Sequence, residues 1–260
     1  MLYSLPSVAP LRYGEPLLDF RVNLWSSPAE GSRLGGDWCD AHRLNDTQIA
    51  LAVFDVAGHG DAAAATMQAL RNVLFTAMRS GVGPSAILSL ANAVAYGRSE
   101  GLIVTALVGI LDGRRAEFTF ASAGHPPPLL MRADGFRYCS KPLGDLPLGI
   151  FPKLEVGLQT FAIPAGGLLV LYTDGLVEHN RDLARGELEL AQATRAVYGV
   201  PALHAAKTIA ERVFESGRGN DDAALIAVRA IRSFHMPTRK RIHHIPDSPF
   251  TRRLALVASQ

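Results

Sequence analysis

Cysteine is nearly absent from this 260-residue chain: it has two, Cys39 and Cys139, and no zinc-type spacing ties either to the eight histidines. A disulfide framework is excluded, and a reducing, cytoplasmic setting is expected. There is no HExxH and no Cys/His cluster, which argues against zinc held by nitrogen or sulfur. No apolar run approaches the ~18 residues of a membrane-spanning helix. The opening stretch MLYSLPSVAPLRYGEP lacks the basic-then-apolar pattern of an export signal, so a soluble, unexported protein with no membrane partner is expected. About 17 residues precede the first predicted strand, so no sensory domain or long coiled-coil linker is expected ahead of it.

Charge is plentiful but uneven. The net charge is +2, yet six of the 26 basic residues and one of the 24 acidic ones lie beyond Ala230, leaving a body near −3 and a tail near +5. The cluster Arg239, Lys240, Arg241 reads as part of a solvated extension, because no nucleic-acid-recognition fold accompanies it. Nucleic acid is therefore not expected as a partner.

The most informative residues are aspartates set beside glycine or a second carboxylate and next to apolar runs: Asp37 in GGDWCD, Asp55 in FDVAGHG, Asp174 in LYTDG, and Asp221 and Asp222 in GNDDAALIAV. A carboxylate at the end of a buried strand is costly unless a positive charge offsets it. Several such strand ends suit a hard divalent cation, which prefers oxygen ligands. Glycine permits close backbone approach, so the Val56 carbonyl can join the ligand set. Taken alone, Asp174–Gly175 reads as a turn.

Periodicity supplies the frame. Alternation of Leu18, Phe20, Val22 and Leu24 with polar residues predicts a strand over 18–25, and a buried strand follows near 48–56. Met67, Leu70, Val73, Leu74 and Met78 recur at helical spacing over 61–79. A second helix opens at Pro84 or Ser85 and runs to about Gly97, with Ile87, Leu88, Leu90, Ala91 and Val94 expected inward. Beyond it the period becomes two: 102–112, 116–121, 129–131 and 168–172 read as antiparallel strands, 186–198 and 202–215 as helices, and 223–231 as a last strand. Helix pairs around clustered strands predict an α+β fold with two packed antiparallel sheets covered by helices. The expected divisions are a lead-in over 1–17, one domain over 18–231, and a basic tail over 232–260.

In this order and at these intervals, GGDWCD, FDVAGHG, ASAGHPPPLL, LPLGI, LVLYTDGLVE and GNDDAALIAV resemble the metal-dependent Ser/Thr protein phosphatases of the type 2C superfamily. The resembling branch is that of bacterial stage II sporulation protein E and the sigma-factor regulator phosphatases, and it covers about residues 18–230. It implies an αββα sandwich with two Mn2+ or Mg2+ ions. By the same resemblance Asp55 bridges both metals, with the Val56 carbonyl on one of them. Asp174 and Asp221 complete the ligands of the other, and Asp37 sits near the second, acting through water. Asp222 is either a direct ligand or a supporting neighbour, and Asp40 is left open between a further acid of the site and a solvated loop acid.

The implied chemistry is attack on phosphorus by water held between the metals, so no protein nucleophile is needed. Cys39, where the branch usually has a bulky aromatic, reads as a packing residue. His59 stands two positions beyond the place of the family's candidate general acid, which Ala57 occupies. Shaping the turn is its favoured role, and proton donation to the leaving oxygen the alternative. His125 reads as structural. Arg33 offers a guanidinium fork for phosphate, though an ordinary exposed side chain is the favoured reading. The implied substrate is a phosphoserine or phosphothreonine protein, in this branch an anti-sigma-factor antagonist. A phosphatase-fold module that has lost turnover and acts as a regulatory binding domain is the alternative. A homodimer is left open as a means of regulation.

Overall fold

The computed structural model describes residues 17–28, 35–58, 61–98, 102–139, 146–178, 181–199, 204–216 and 221–233. Expectations placed on 1–16, on Arg33 and His59, and on the tail beyond 233 lie outside the described residues. Among the described residues no helix is long and apolar enough to cross a membrane.

Among the described residues, ten strands make two antiparallel sheets. The first contains β1 (Leu17–Ser27), β6 (Leu129–Arg132), β7 (Gly135–Tyr138), β9 (Leu168–Tyr172) and β10 (Ala223–Ser233), in the order β1-β10-β9-β6-β7. The second contains β2 (Trp38–Arg43), β3 (Gln48–Val56), β4 (Val104–Asp112), β5 (Glu117–Ala123) and β8 (Gln159–Ala162), in the order β2-β3-β4-β5-β8. Helices α1 (Asp61–Arg79) and α2 (Pro84–Tyr96) cover the second sheet, and α3 (Leu183–Val197) and α4 (Ala205–Val213) cover the first. The expected α+β arrangement of two antiparallel sheets between helix pairs is what forms.

The apolar pattern explains the layers. On β3, Ala50, Ala52, Phe54 and Val56 face α1 and α2, while Ile49, Leu51 and Val53 enter the core between the sheets. β10 does the same with Leu225 and Ala227 on the helix side and Ile226 and Val228 between the sheets. A strand covered on both faces reads as a continuous apolar run, and these two strands carry the longest. Burying them drives assembly of the sandwich, at roughly 25 cal/mol per Å2 of apolar surface.

Several boundaries differ from expectation for identifiable reasons. Leu90 is 47% exposed, and the buried stripe of α2 instead runs through Pro84, Ile87, Leu88, Ala91, Asn92 and Ala95. Asn92 tolerates burial because its Oδ1 accepts from the Gly149 amide and its Nδ2 donates to the Phe151 carbonyl, both at 3.0 Å. On β1 the inward pattern breaks at Leu24, which is exposed, while Trp25 packs toward α4 against Phe214. Strands β2, β7 and β8 were not predicted; the last two have four residues each, too short for periodicity to register.

Gly109 on β4 lies under a tightly packed aromatic pair. A Cβ there would stand 2.3 Å from the Phe118 ring, which stacks on Phe120 at 5.4 Å between centroids. Gly109→Ala is expected to cost about 1–3 kcal/mol by overpacking. Urea unfolding should show a lower midpoint with an unchanged slope, and an unchanged midpoint would contradict this packing.

Candidate metal centre

Four strand ends bring the predicted aspartates to one end of the sandwich. Asp37 immediately precedes β2, and Asp55 is the penultimate residue of β3. The β2–β3 register pairs Trp38 with Phe54, so Asp37 and Asp55 are the next opposed positions. Asp174 opens a one-turn 3-10 helix, Asp174–Leu176, directly after β9, rather than the simple turn its dipeptide suggests. Asp221 and Asp222 precede β10, which pairs with β9.

Glycine lets the loops meet. A Cβ on Gly36 would lie 2.7 Å from the Val56 carbonyl oxygen, and one on Gly175 would lie 1.9 Å from the Asp222 carbonyl oxygen. Neither position accepts a side chain without moving backbone. The Gly36 amide donates to Asp222 Oδ2 at 2.5 Å, tying the loop before β2 to the loop before β10 across 186 residues. Asp222 is buried, and its carboxylate is engaged in holding the GGD loop. Asp221 is exposed, with Oδ1 accepting from the Asp222 amide at 2.8 Å.

Like charge and burial dominate the electrostatics. Burial, then Asp55, push the Asp37 carboxyl up to about 9 from an ordinary 3.8. Asp174 is pushed up to about 7, again by burial first and then by Asp55, Glu178 and Asp221. Asp55 is raised by burial and by the charges of Asp221, Asp222 and Glu178, against a hydrogen bond from Asp37 that favours its ionised form. Asp37 therefore holds a proton toward Asp55. Asp37 Oδ2 is buried and has no hydrogen-bond partner.

An all-oxygen donor set, mutually repelling and with one orphaned buried oxygen, has the chemistry that a hard cation satisfies. Among the described residues, no group of three or more His, Cys, Asp or Glu side chains stands close enough together to hold a metal ion as placed. The carboxylates share a field while their repulsion opposes closer approach.

Other predicted residues fall into place around this cluster. Asp40 is a correction: it lies within β2, half-buried and paired in register with Ala52, with Oδ1 accepting from the Ala41 amide at 2.7 Å, and is not a loop acid. Burial pushes the Cys39 thiol up to about 12, and its Sγ lies 3.7 Å from the Trp25 carbonyl oxygen. His125 is buried, with Nδ1 2.7 Å from the Thr105 hydroxyl, and desolvation lowers it to about 3, keeping the ring neutral. Thr105 is the cross-strand partner of Asp55. Sequence reasoning missed Glu178, whose charge reaches both Asp55 and Asp174. Its signal was its place four residues after Asp174, where one turn of helix returns a side chain to the same face.

Comparison with known proteins adds an independent line. Residues 45–231 match the family model described as Stage II sporulation protein E (SpoIIE). The phosphoserine phosphatase RsbP of Bacillus subtilis is 24% identical over 63% of this chain and 42% of its own length. The crystal structure of the RsbU and RsbW domains of a Mycobacterium tuberculosis protein superposes with a TM-score of 0.72 at 32% identity, covering 84% of this chain and 63% of that one. The catalytic domain of the serine/threonine phosphatase PstP, solved with two manganese ions, has a TM-score of 0.60 at 18% identity, covering 82% of this chain and 99% of that one, a likeness of fold. The chain spans between 26% and 49% of the length of the curated relatives it matches.

The raised carboxyls make stability fall with pH. Their folded values lie above the ordinary 3.8, so the folded state keeps protons that the unfolded chain releases, and this contribution is lost from pH 3.8 up to about 9. His125, lowered from 6.5 to about 3, has the opposite effect, but only below pH 6.5. Between pH 6.5 and about 8, below the range where the thiols of Cys39 and Cys139, raised from 9.0, add to the same trend, the carboxylates act alone, so the melting temperature of chelator-treated protein should drop across that range. Asp37→Asn should flatten the drop; an equally steep fall in that variant would contradict the assignment.

Proposed function

Because the chain belongs to the stage II sporulation protein E family, we propose that it is a metal-dependent phosphatase that hydrolyses phosphoserine or phosphothreonine on a protein. The observation that carries this reading is the convergence of Asp37, Asp55, Asp174 and Asp221 in one repulsive field, with a buried carboxylate oxygen left unpartnered. Asp55, Asp174, Asp221 and the Val56 carbonyl would hold two Mn2+ or Mg2+ ions, with Asp37 beside the second. Bound there, the cations supply an activated water for attack on phosphorus and neutralise the phosphate oxygens. The PstP domain, solved with two manganese ions on the same fold, supports the choice of cofactor.

The chain's own residues prepare this site. Asp222 fixes the loop that carries Asp37 by accepting the Gly36 amide, and Gly36 allows that loop to lie against the Val56 carbonyl. Thr173, fully buried, receives the Ala224 amide on its Oγ1 at 2.8 Å and stands within hydrogen-bonding reach of Asp37. These contacts fix donor positions before any substrate arrives, which is the form of preorganisation that electrostatic catalysis requires. The proposed substrate is an anti-sigma-factor antagonist, in keeping with the phosphoserine phosphatase RsbP among the relatives. The alternative, a binding module without turnover, is disfavoured because Asp55, Asp174 and Asp221 are all present.

Phosphate release from an aryl phosphate and from a phosphoserine protein, with Mn2+, Mg2+ or chelator, tests the reading. Activity should require metal and fall at least ~100-fold in Asp55→Asn or Asp174→Asn, about 3 kcal/mol of lost transition-state stabilisation. Relief of repulsion should leave the melting temperature of either variant no lower than that of the parent. Chelator-resistant turnover would overturn the mechanism, and metal binding without turnover would favour the binding module.

A further inference from the structure

Beside the carboxylates the surface becomes apolar without a structural need for it. The β3–β4 ladder pairs Asp55 with Thr105 and Val56 with Val104, and ends when the Ala57 amide donates to the Ile103 carbonyl at 2.9 Å. At that point Val104 also bridges Leu148 in an antiparallel pair. Four large apolar side chains lie within three residues of this bridge and remain open to solvent: Ile103 at 44%, Leu146 at 51%, Ile150 at 39% and Phe151 at 50%. Their neighbours Leu148 and Val104 are completely buried, so the segment is anchored rather than loosely draped.

The anchoring is specific. Asn92 of α2, itself buried, binds the Gly149 amide and the Phe151 carbonyl. The Ser89 hydroxyl, one turn earlier, donates to the Leu154 carbonyl at 3.2 Å. Gly149, at φ +87°, lets the backbone turn against the Leu102 carbonyl, which a Cβ would approach to 2.8 Å. The fold thus uses polar contacts on the inner side of residues 148–154 while presenting apolar side chains outward. Large apolar side chains held open to solvent on an anchored segment suit a binding surface.

Building on the phosphatase reading, we infer that Ile103, Leu146, Ile150 and Phe151 form a docking surface for the folded body of the phosphoprotein substrate and set its specificity. The occupant follows from position. The surface starts one register step beyond Asp55 and Val56, so a protein whose phosphorylated side chain reaches the carboxylates must lie against its rim. A small phosphate ester reaches the same carboxylates without touching these residues. The surface therefore contributes to KM for a folded substrate and not to turnover of a small one.

Steady-state kinetics with three substrates test this: an anti-sigma-factor antagonist carrying phosphoserine, a ten-residue peptide with the same phosphoserine, and p-nitrophenyl phosphate. The parent protein should prefer the folded substrate over the peptide through KM. Ile150→Ser/Phe151→Ser should lose ~10-fold or more in kcat/KM on the folded substrate, the loss expected on removing interface anchors, with the rates on peptide and aryl phosphate unchanged. Equal kcat/KM of the parent on folded protein and peptide would overturn the docking surface, and so would variants that lose all three activities together. Concentration-dependent dimerisation abolished in the double variant, with the substrate preference intact, would assign the surface to self-association and overturn it also. Absence of turnover on all three substrates by the parent would remove the phosphatase reading and this inference with it, whereas parent activity with no change in the variants overturns the inference alone.

Discussion

Carboxylates repel one another, and this fold forces at least four of them together at the end of a dry sandwich. Burial and neighbouring charge both raise the pKa of Asp37, Asp55 and Asp174, which measures how strongly the arrangement disfavours its own ionisation. Local hydrogen bonds, from Thr173 to Asp37, from Asp37 to Asp55 and from the Gly175 amide to Asp174, offset only part of this. The stabilisation comes from three apolar layers, one between the sheets and one under each helix pair. Those layers fix the strand ends that carry Asp55, Asp174 and Asp222, and leave only Asp221 of this set exposed at the rim. Such strain at a site is the usual cost of function, since groups that need a ligand destabilise the fold without it.

Backbone packing determines how closely the charges approach. Gly36 and Gly175 sit where any Cβ would strike a carbonyl oxygen, and the bond from Gly36 to Asp222 closes the gap between the two sheets. Asp222 and Asp221 are adjacent in sequence yet differ in circumstance. One is buried and occupied with an amide; the other is exposed at the rim. The docking rim uses the same device in reverse, with Asn92 taking the polar backbone inward so that Ile150 and Phe151 face out. Both arrangements place side chains by satisfying backbone groups first.

Much of this was legible in the sequence because both-face burial leaves long apolar runs. The runs at β3, β9 and β10 announced themselves, and the aspartates at their ends followed. Asp40 was not legible: its strand, β2, carries half-buried residues on both faces and so lacks a clear period. Leu90 misled for a related reason, since a buried asparagine is unrecognisable until its partners Gly149 and Phe151 are known. Glu178 escaped because its relation to Asp174 depends on a 3-10 turn that the Asp–Gly dipeptide disguises. The link between Gly36 and Asp222 spans most of the chain, and no local pattern reports it.

Cation binding should displace the protons that the crowded carboxyls retain, because a metal ligand must be ionised. Titration calorimetry of the chelator-treated protein with Mn2+ at pH 6.5, in buffers of different ionisation heat, measures this directly. Asp37 and Asp174, raised to about 9 and about 7, still hold protons at that pH. Saturable binding of two ions with net proton release is the expected result. Absence of binding, or binding whose heat is the same in every buffer, would contradict the claim that these carboxylates form a metal centre.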